Sequence, residues 1–177
     1  MGMGCLAGPV IAAACILNLK DIPDGIDDSK KLTPKKREEI SKELKERALS
    51  WAIAESTVEE IDTINIYHAA KLAMKRAVEG LRLKADFLLI DGRGKIESTL
   101  PQIAIVKGDQ LSFSIGAASI LAKVFRDELM QKFDKKYPGY GFASHKGYGS
   151  VLHRRSLMEK GQTSIHRKSF SWTPVEA

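Results

Sequence analysis

No run in this sequence is long and apolar enough to cross a bilayer as a helix, so no membrane span is expected. Cysteine is scarce. Cys5 and Cys15 have neither CxxC spacing nor a histidine pattern beside them, which argues against a zinc site and for a reducing compartment. No basic residue precedes the apolar stretch that begins at Val10, so a secretory leader is poorly supported. Leu6 stands where N-myristoylation needs Ser or Thr. Internal repeats, low-complexity tracts and linkers are also missing. A chain of 177 residues that is 44% hydrophobic is therefore expected to form a single domain over 1–177, in the cytoplasm. Acidic charge is in deficit, 22 residues against 28 basic ones, for a net charge of +6. The imbalance is steepest from His145 onward, where Lys146, Arg154, Arg155, Lys160, Arg167 and Lys168 meet only Glu159 and Glu176. Such a segment fits a polyanionic partner, and equally a merely solvated surface.

The chemistry is concentrated between Asp86 and Asp127. Phe87 to Ile90 is a short apolar run closed by Asp91-Gly92, which reads as a buried strand with a carboxylate at its end. Ile103 to Val106 repeats the plan and ends in Lys107-Gly108-Asp109. A helix should follow, since Ile115, Ala118, Ala122, Phe125, Leu129 and Phe133 recur every three or four residues and Pro138-Gly139 stops the pattern. Gly116, Ala117 and Ala118 would let it pack close to a sheet. The two aspartates have two readings. One is local turn chemistry, as Asp-Gly is a common turn dipeptide. The other is a pair of oxygen ligands for hard divalent cations that hold phosphate.

Earlier in the chain, Val10 to Leu17 reads as a buried strand behind the glycines Gly2, Gly4 and Gly8. Thr33 is an N-cap with Pro34 at the first helical position of a helix to about Leu49, turning Ile40, Leu44 and Ala48 inward. Lys30 and Lys31 ahead of that helix suit either a phosphate or plain solvation. Trp51 to Ser56 alternates like a strand. Thr57 and Glu60 form a capping box that opens helical sequence through Ile66, Ala70, Ala73, Ala77 and Leu81. Beyond the central helix lies a loop rich in glycine and aromatics, with Tyr137, Tyr140, His145, Lys146 and Tyr148, and then a helix from Val151 to Lys160. Tyrosines beside basic residues suit stacking on a sugar or base, Tyr148 above all, while Tyr137 and Tyr140 read as packing residues. His145, His153 and His166 lack metal-ligand spacing and read as phosphate or backbone partners.

Several segments together carry a family resemblance. They are Gly2 to Val10, Asp28-Ser29-Lys30-Lys31-Leu32, Leu89-Ile90-Asp91-Gly92, Val106-Lys107-Gly108-Asp109, Ser119 to Val124, His145-Lys146-Gly147-Tyr148 and His166 to Phe170. In this order, over nearly the whole chain, the sequence resembles bacterial ribonuclease HII, of the ribonuclease H type 2 family. The resemblance implies an α/β fold: a ribonuclease H-like mixed five-stranded sheet flanked by helices, with a helical C-terminal part that touches nucleic acid. It implies a monomeric endonuclease that hydrolyses the RNA strand of RNA/DNA hybrids and incises duplex DNA at single ribonucleotides, leaving 3′-hydroxyl and 5′-phosphate ends. Asp91 and Asp109 match catalytic carboxylates that bind Mn²⁺ or Mg²⁺ in a two-metal reaction. Gly2, Met3 and Gly4 match the segment whose backbone grips the ribose 2′-hydroxyl, the group by which a protein tells RNA from DNA. Tyr148 matches the tyrosine that stacks at the ribose-to-deoxyribose junction, and Ser29, Lys30 and Lys123 match substrate-binding positions.

The sequence departs from the family pattern in three places. An Asp-Glu pair and one variable residue usually precede the Gly-x-Gly, and here the variable position is Met1. Both carboxylates and the central first strand that carries them are therefore expected to lie outside this chain, as in a truncated reading of a longer gene. Half a metal site would hold cations weakly, so the chain as written is expected to cleave little. Met3 stands where arginine is usual, and Arg93 where asparagine is usual. A non-catalytic hybrid-binding protein is the alternative. A metal-dependent phosphatase would leave His145 to Tyr148 and the basic tail unexplained.

Overall fold

Side-chain capping sets the start of three of the helices among the described residues. In the computed structural model, which describes residues 1–26 and 32–175, α1 spans Pro34–Arg47, and the Thr33 hydroxyl accepts from the Lys36 amide at 3.3 Å. The long helix α2, Val58–Glu79, opens with the full capping box: Glu60 N–H to Thr57 Oγ1 at 3.2 Å, and Thr57 N–H to Glu60 Oε2 at 2.9 Å. It is kinked at Asn65, whose φ of 64° breaks the helix, and whose side chain caps the next turn by accepting from the Tyr67 and His68 amides. The central helix α3 runs Phe113–Lys136, followed by the single turn α4, Phe142–His145, and by α5, Val151–Lys160.

Four strands are present among the described residues. β1 (Val10–Ile16) pairs antiparallel with β2 (Ser50–Ser56), while β3 (Leu88–Asp91) pairs parallel with β4 (Gln102–Ile105). The class is α/β with both strand senses, as the resemblance implies, but among the described residues the strands form one antiparallel and one parallel pair rather than a single mixed sheet of five. On the edge of β1 away from β2, Met1 exchanges both backbone hydrogen bonds with Ile11.

Helix α3 joins the pairs by packing on β1 and β3 and against α1. Its Ala117, Ile120, Leu121 and Val124 form one core with Leu17, Ile40 and Leu44, each such Ile or Leu contributing about 1.5–3 kcal/mol. The small residues Gly116 and Ala117 are buried, as their size suggests, yet Phe125 is turned outward at 37% exposure. Because α3 is buried on more than one side, its apolar positions are not confined to one stripe, and the sequence period picks the wrong face at Phe125. Val10, Ala12, Ile61, Ala69, Ala73 and Ala77 form a second core between β1 and α2. A third gathers Leu6, Ala7, Met130, Tyr140, Phe142 and Leu157 under the C-terminal part. Among the described residues no helix is long and apolar enough to cross a membrane.

Candidate active site

β3 and β4 run parallel in register, with Asp91 opposite Ile105, so Asp91 closes one strand and Asp109 follows the end of its neighbour by four residues. Lys107 takes the left-handed conformation and turns the chain into a short 3₁₀ turn, Gly108–Gln110. The Gly108 amide then donates to Asp91 Oδ1 at 3.0 Å, which ties the first carboxylate to the residue before the second. A side chain at 108 would press on Ile115, so glycine lets the turn sit against α3. Asp109 lines a depression of about 110 Å³ with Ile26, Gln110, Leu111, Ser112 and Phe113. Two carboxylates are hard oxygen donors of the kind that hold one Mg²⁺ or Mn²⁺, with water and phosphate completing the shell. Among the described residues no group of three or more His, Cys, Asp or Glu gathers as a metal site.

The glycine-rich segment Gly2 to Pro9 is built over two buried arginines. Arg167 donates to the carbonyls of Gly2 at 2.7 Å, Met3 at 2.9 Å and Gly8 at 2.8 and 2.9 Å. Arg126, from α3, donates to Ala7 O at 3.2 Å, Pro9 O at 3.3 Å and Lys146 O at 2.8 Å. Burial pushes the Arg167 guanidinium down to about 10, so it remains charged at neutral pH. Gly2 has φ +88°, and a Cβ there would lie 2.2 Å from Arg126 Nε, so the arginine packs on bare backbone. By contrast, Met3 and Gly4 are exposed, and nothing lies within 4 Å of a Cβ built at Gly4. The Met1 amine is pushed down to about 5, by burial first and then by Arg126, while the charges of Cys5 and Asp91 act the other way.

Tyr148 stands beside this segment. Cys5 and Tyr148 form an antiparallel bridge, and the Leu6 and Ala7 amides both donate to Gly147 O, at 2.8 and 3.3 Å. Tyr148 is 46% exposed, and partial burial raises its phenol pKa. Lys123 projects from α3 but is held by Asp127 at 2.7 Å, with Arg37 also 3.8 Å from that carboxylate. Ser29 and Lys30 lie outside the described residues. Of the positions singled out in the sequence, Gly2, Met3 and Gly4 share one segment that reaches Tyr148 through the Cys5 bridge, while the Gly108 amide ties Asp91 to the turn that carries Asp109.

The sequence reading missed Arg126 and Arg167 as organisers. Arg126 lies in the apolar pattern of α3, where a charged residue signals a buried partner set, and Arg167 had been counted only as part of the basic tail. The three C-terminal histidines bond to backbone and to one another. Tyr140 is buried with its hydroxyl on Gly161 O at 2.9 Å, and Tyr137 bonds Ser164 at 2.8 Å, in the packing roles read for them.

Comparison with known proteins gives a consistent result. A profile described as Ribonuclease HII matches residues 1–173. The ribonuclease HII of Myxococcus xanthus is 54% identical over 171 residues, covering 96% of this chain and 58% of that protein. That of Desulfitobacterium hafniense is 53% identical over 175 residues, covering 99% of this chain and 66% of the relative. The chain therefore spans just under two thirds, or less, of these relatives' length. The crystal structure of the ribonuclease H2 from Pyrococcus horikoshii superposes with a TM-score of 0.80 at 25% identity, over 96% of this chain and 90% of that one. Bst-RNase HIII in complex with Mn²⁺ shares the fold, with a TM-score of 0.71 at 19% identity over 91% of this chain and 60% of that one.

Proposed function

This chain belongs to the ribonuclease HII family, and on that premise we propose that it acts on RNA/DNA hybrids and on duplex DNA containing single ribonucleotides, as an endoribonuclease that leaves 3′-hydroxyl and 5′-phosphate ends. One observation carries the reading. The backbone of the exposed residues Met3 and Gly4 leads directly into Cys5, which bridges to the half-exposed Tyr148. A 2′-hydroxyl can donate to or accept from such backbone, while an aromatic face stacks on the next sugar.

In this reading the chain's residues divide the work. Met3 and Gly4 select ribose, and Tyr148 fixes the position of the neighbouring deoxyribose. Arg126 and Arg167 hold the glycine segment rigid and place two positive charges beneath it, which favours a phosphate backbone above. Asp91 and Asp109 would hold the divalent cation, Mn²⁺ or Mg²⁺. When bound, that ion supplies Lewis-acid stabilisation of a phosphate and acidifies water. Among the described residues no third His, Cys, Asp or Glu joins them as a ligand group.

The same donor set favours a second reading, binding without efficient cleavage. One assay separates them: the 177-residue chain with a duplex carrying a single ribonucleotide, in Mn²⁺ and in EDTA. Cleavage that needs Mn²⁺ and is lost in Asp91→Asn supports the nuclease. Salt-dependent binding that prefers the ribonucleotide duplex, without cleavage at any Mn²⁺ concentration, supports the binding protein. No cleavage and no preference over all-DNA duplex overturns both.

A further inference from the structure

Three of the chain's four histidines pack together behind Tyr148, and the proposed chemistry uses none of them. The rings of His145 and His153 stack with centroids 4.4 Å apart, and those of His153 and His166 lie 5.2 Å apart, with Phe142 edge-on to His145 and His153. His153 and His166 are 0% and 2% exposed. Each ring nitrogen has a partner, and the partners fix where every proton sits.

The backbone amide of Gly147 donates to His145 Nδ1 at 3.1 Å, so Nε2 carries the hydrogen, and it donates to Tyr140 O at 2.7 Å. The Thr163 amide donates to His166 Nδ1 at 2.8 Å, so its Nε2 is likewise the N–H. That N–H faces His153 Nε2 at 3.0 Å, which must accept. His153 Nδ1 is then the N–H, and it lies 2.9 Å from Tyr148 O, a group that only accepts. The assignment of His153 is reached independently from its two ends, and they agree. All three rings are neutral, and each remaining lone pair already receives an N–H. The charged and titratable groups that face them are the other rings, Asp134 of α3, whose charge favours protonation of His145, and the Tyr140 phenol, which packs on His166. Burial outweighs these influences and lowers all three histidines, His153 to about 4.

The network runs from Thr163 and the Tyr140 carbonyl to the Tyr148 loop, which it holds at three points. His145 holds the Gly147 amide, the His145 carbonyl holds the Tyr148 amide at 2.9 Å, and His153 holds the Tyr148 carbonyl. We propose that His145, His153 and His166 form a neutral clamp with fixed tautomers, in which His153 is a positioning residue that sets Tyr148 against nucleic acid. The inference rests on the reading of Tyr148 as a contact to the ribonucleotide duplex.

Two measurements test it. Long-range ¹H–¹⁵N correlation of the imidazoles at pH 7.5 should find the hydrogen on Nε2 of His145 and His166 and on Nδ1 of His153. A different tautomer at His153 overturns the clamp, whatever the chain binds. Affinity for a duplex with one ribonucleotide is then measured in EDTA across a double-mutant cycle. His153→Ala should weaken binding about tenfold, the worth of one buried hydrogen bond and its unpaired carbonyl, and less than about twofold when Tyr148 is already alanine. His153→Asn, whose amide can stand near the Nδ1 position, should recover affinity to within about threefold of the unsubstituted chain. Equal losses in both backgrounds, or no recovery by asparagine, would mean that His153 only stabilises the fold. If Tyr148→Ala leaves affinity unchanged, the nucleic-acid reading of Tyr148 fails, and with it the purpose of the clamp, while the tautomers still report on the network itself.

Discussion

Gly147 is where the loop bearing Tyr148 meets the glycine segment, and replacing it by alanine should separate them. Its φ is +84°, and a Cβ there would lie 2.5 Å from Ala7 O and 3.3 Å from Ala7 C, both backbone atoms that cannot swing aside. The left-handed conformation alone costs about 1–2 kcal/mol for a residue with a Cβ. Relief of the clash moves Gly147 O away from the Leu6 and Ala7 amides, at about 1 kcal/mol for each hydrogen bond lost. Together these come to about 3–4 kcal/mol, a large share of the stability of a typical domain. Gly25 is the control. Its φ is +80°, but an added Cβ would meet only Ile40 and Lys36 side-chain atoms at 3.6 Å, so Gly25→Ala should cost the conformational term alone. For a chain of this size, thermal unfolding should fall by roughly 10 °C for Gly147→Ala and by about 4 °C for Gly25→Ala. Melting points within 2 °C of each other would refute the claim that backbone contact at Gly147 joins the two segments rigidly.

Other outcomes follow from the same geometry. Asp91→Asn and Asp109→Asn should each lower Mn²⁺-dependent cleavage at least about 100-fold in a gel assay while circular dichroism stays unchanged, because each removes one of two hard ligands. Arg167→Met should cost about 3–5 kcal/mol by urea unfolding, since the Gly2, Met3 and Gly8 carbonyls lose their donor in a buried site. Asn65→Ala should cost about 2 kcal/mol by the same measurement, combining a lost cap with a strained φ, and Asn65→Gly less. Stability should depend on acid. His153 titrates near 4 when folded and near 6.5 when unfolded, so the unfolded chain binds the extra proton first. The stabilising difference is complete above pH 6.5 and is lost progressively down to about pH 4, by about 3 kcal/mol in all. His153→Leu should flatten that slope in pH-resolved denaturation curves.

Signals confined to a few residues were legible in the sequence. Thr33-Pro34, Thr57 with Glu60, and the span of α5 from Val151 to Lys160 all appear where their capping chemistry puts them. The apolar runs ending in Asp91 and Asp109 became neighbouring strands because each carries its own stop in the residues that follow. What depends on contacts far along the chain was not legible. The kink at Asn65 rests on one backbone angle. The outward turn of Phe125 follows from burial of α3 on several sides. Arg167 was counted only in the basic tail and Arg126 was given no role, because the carbonyls they meet, near residues 2 and 7, lie far along the chain.

The two strand pairs share no hydrogen bond among the described residues, and α3 spans both. Amide exchange should therefore resolve two cooperative units. β1–β2 with α2 and the arginine-held glycine segment should open only near global unfolding, whereas β3–β4, with the small cluster of Leu88, Ile90 and Ile96 beneath it, should open at lower cost. Asp91 and Asp109 belong to the looser unit and Met3, Gly4 and Tyr148 to the firmer one. On the proposed function, nucleic acid would meet its gripping residues on the firmer unit, while the carboxylates that would hold a cation sit on the unit that opens more readily.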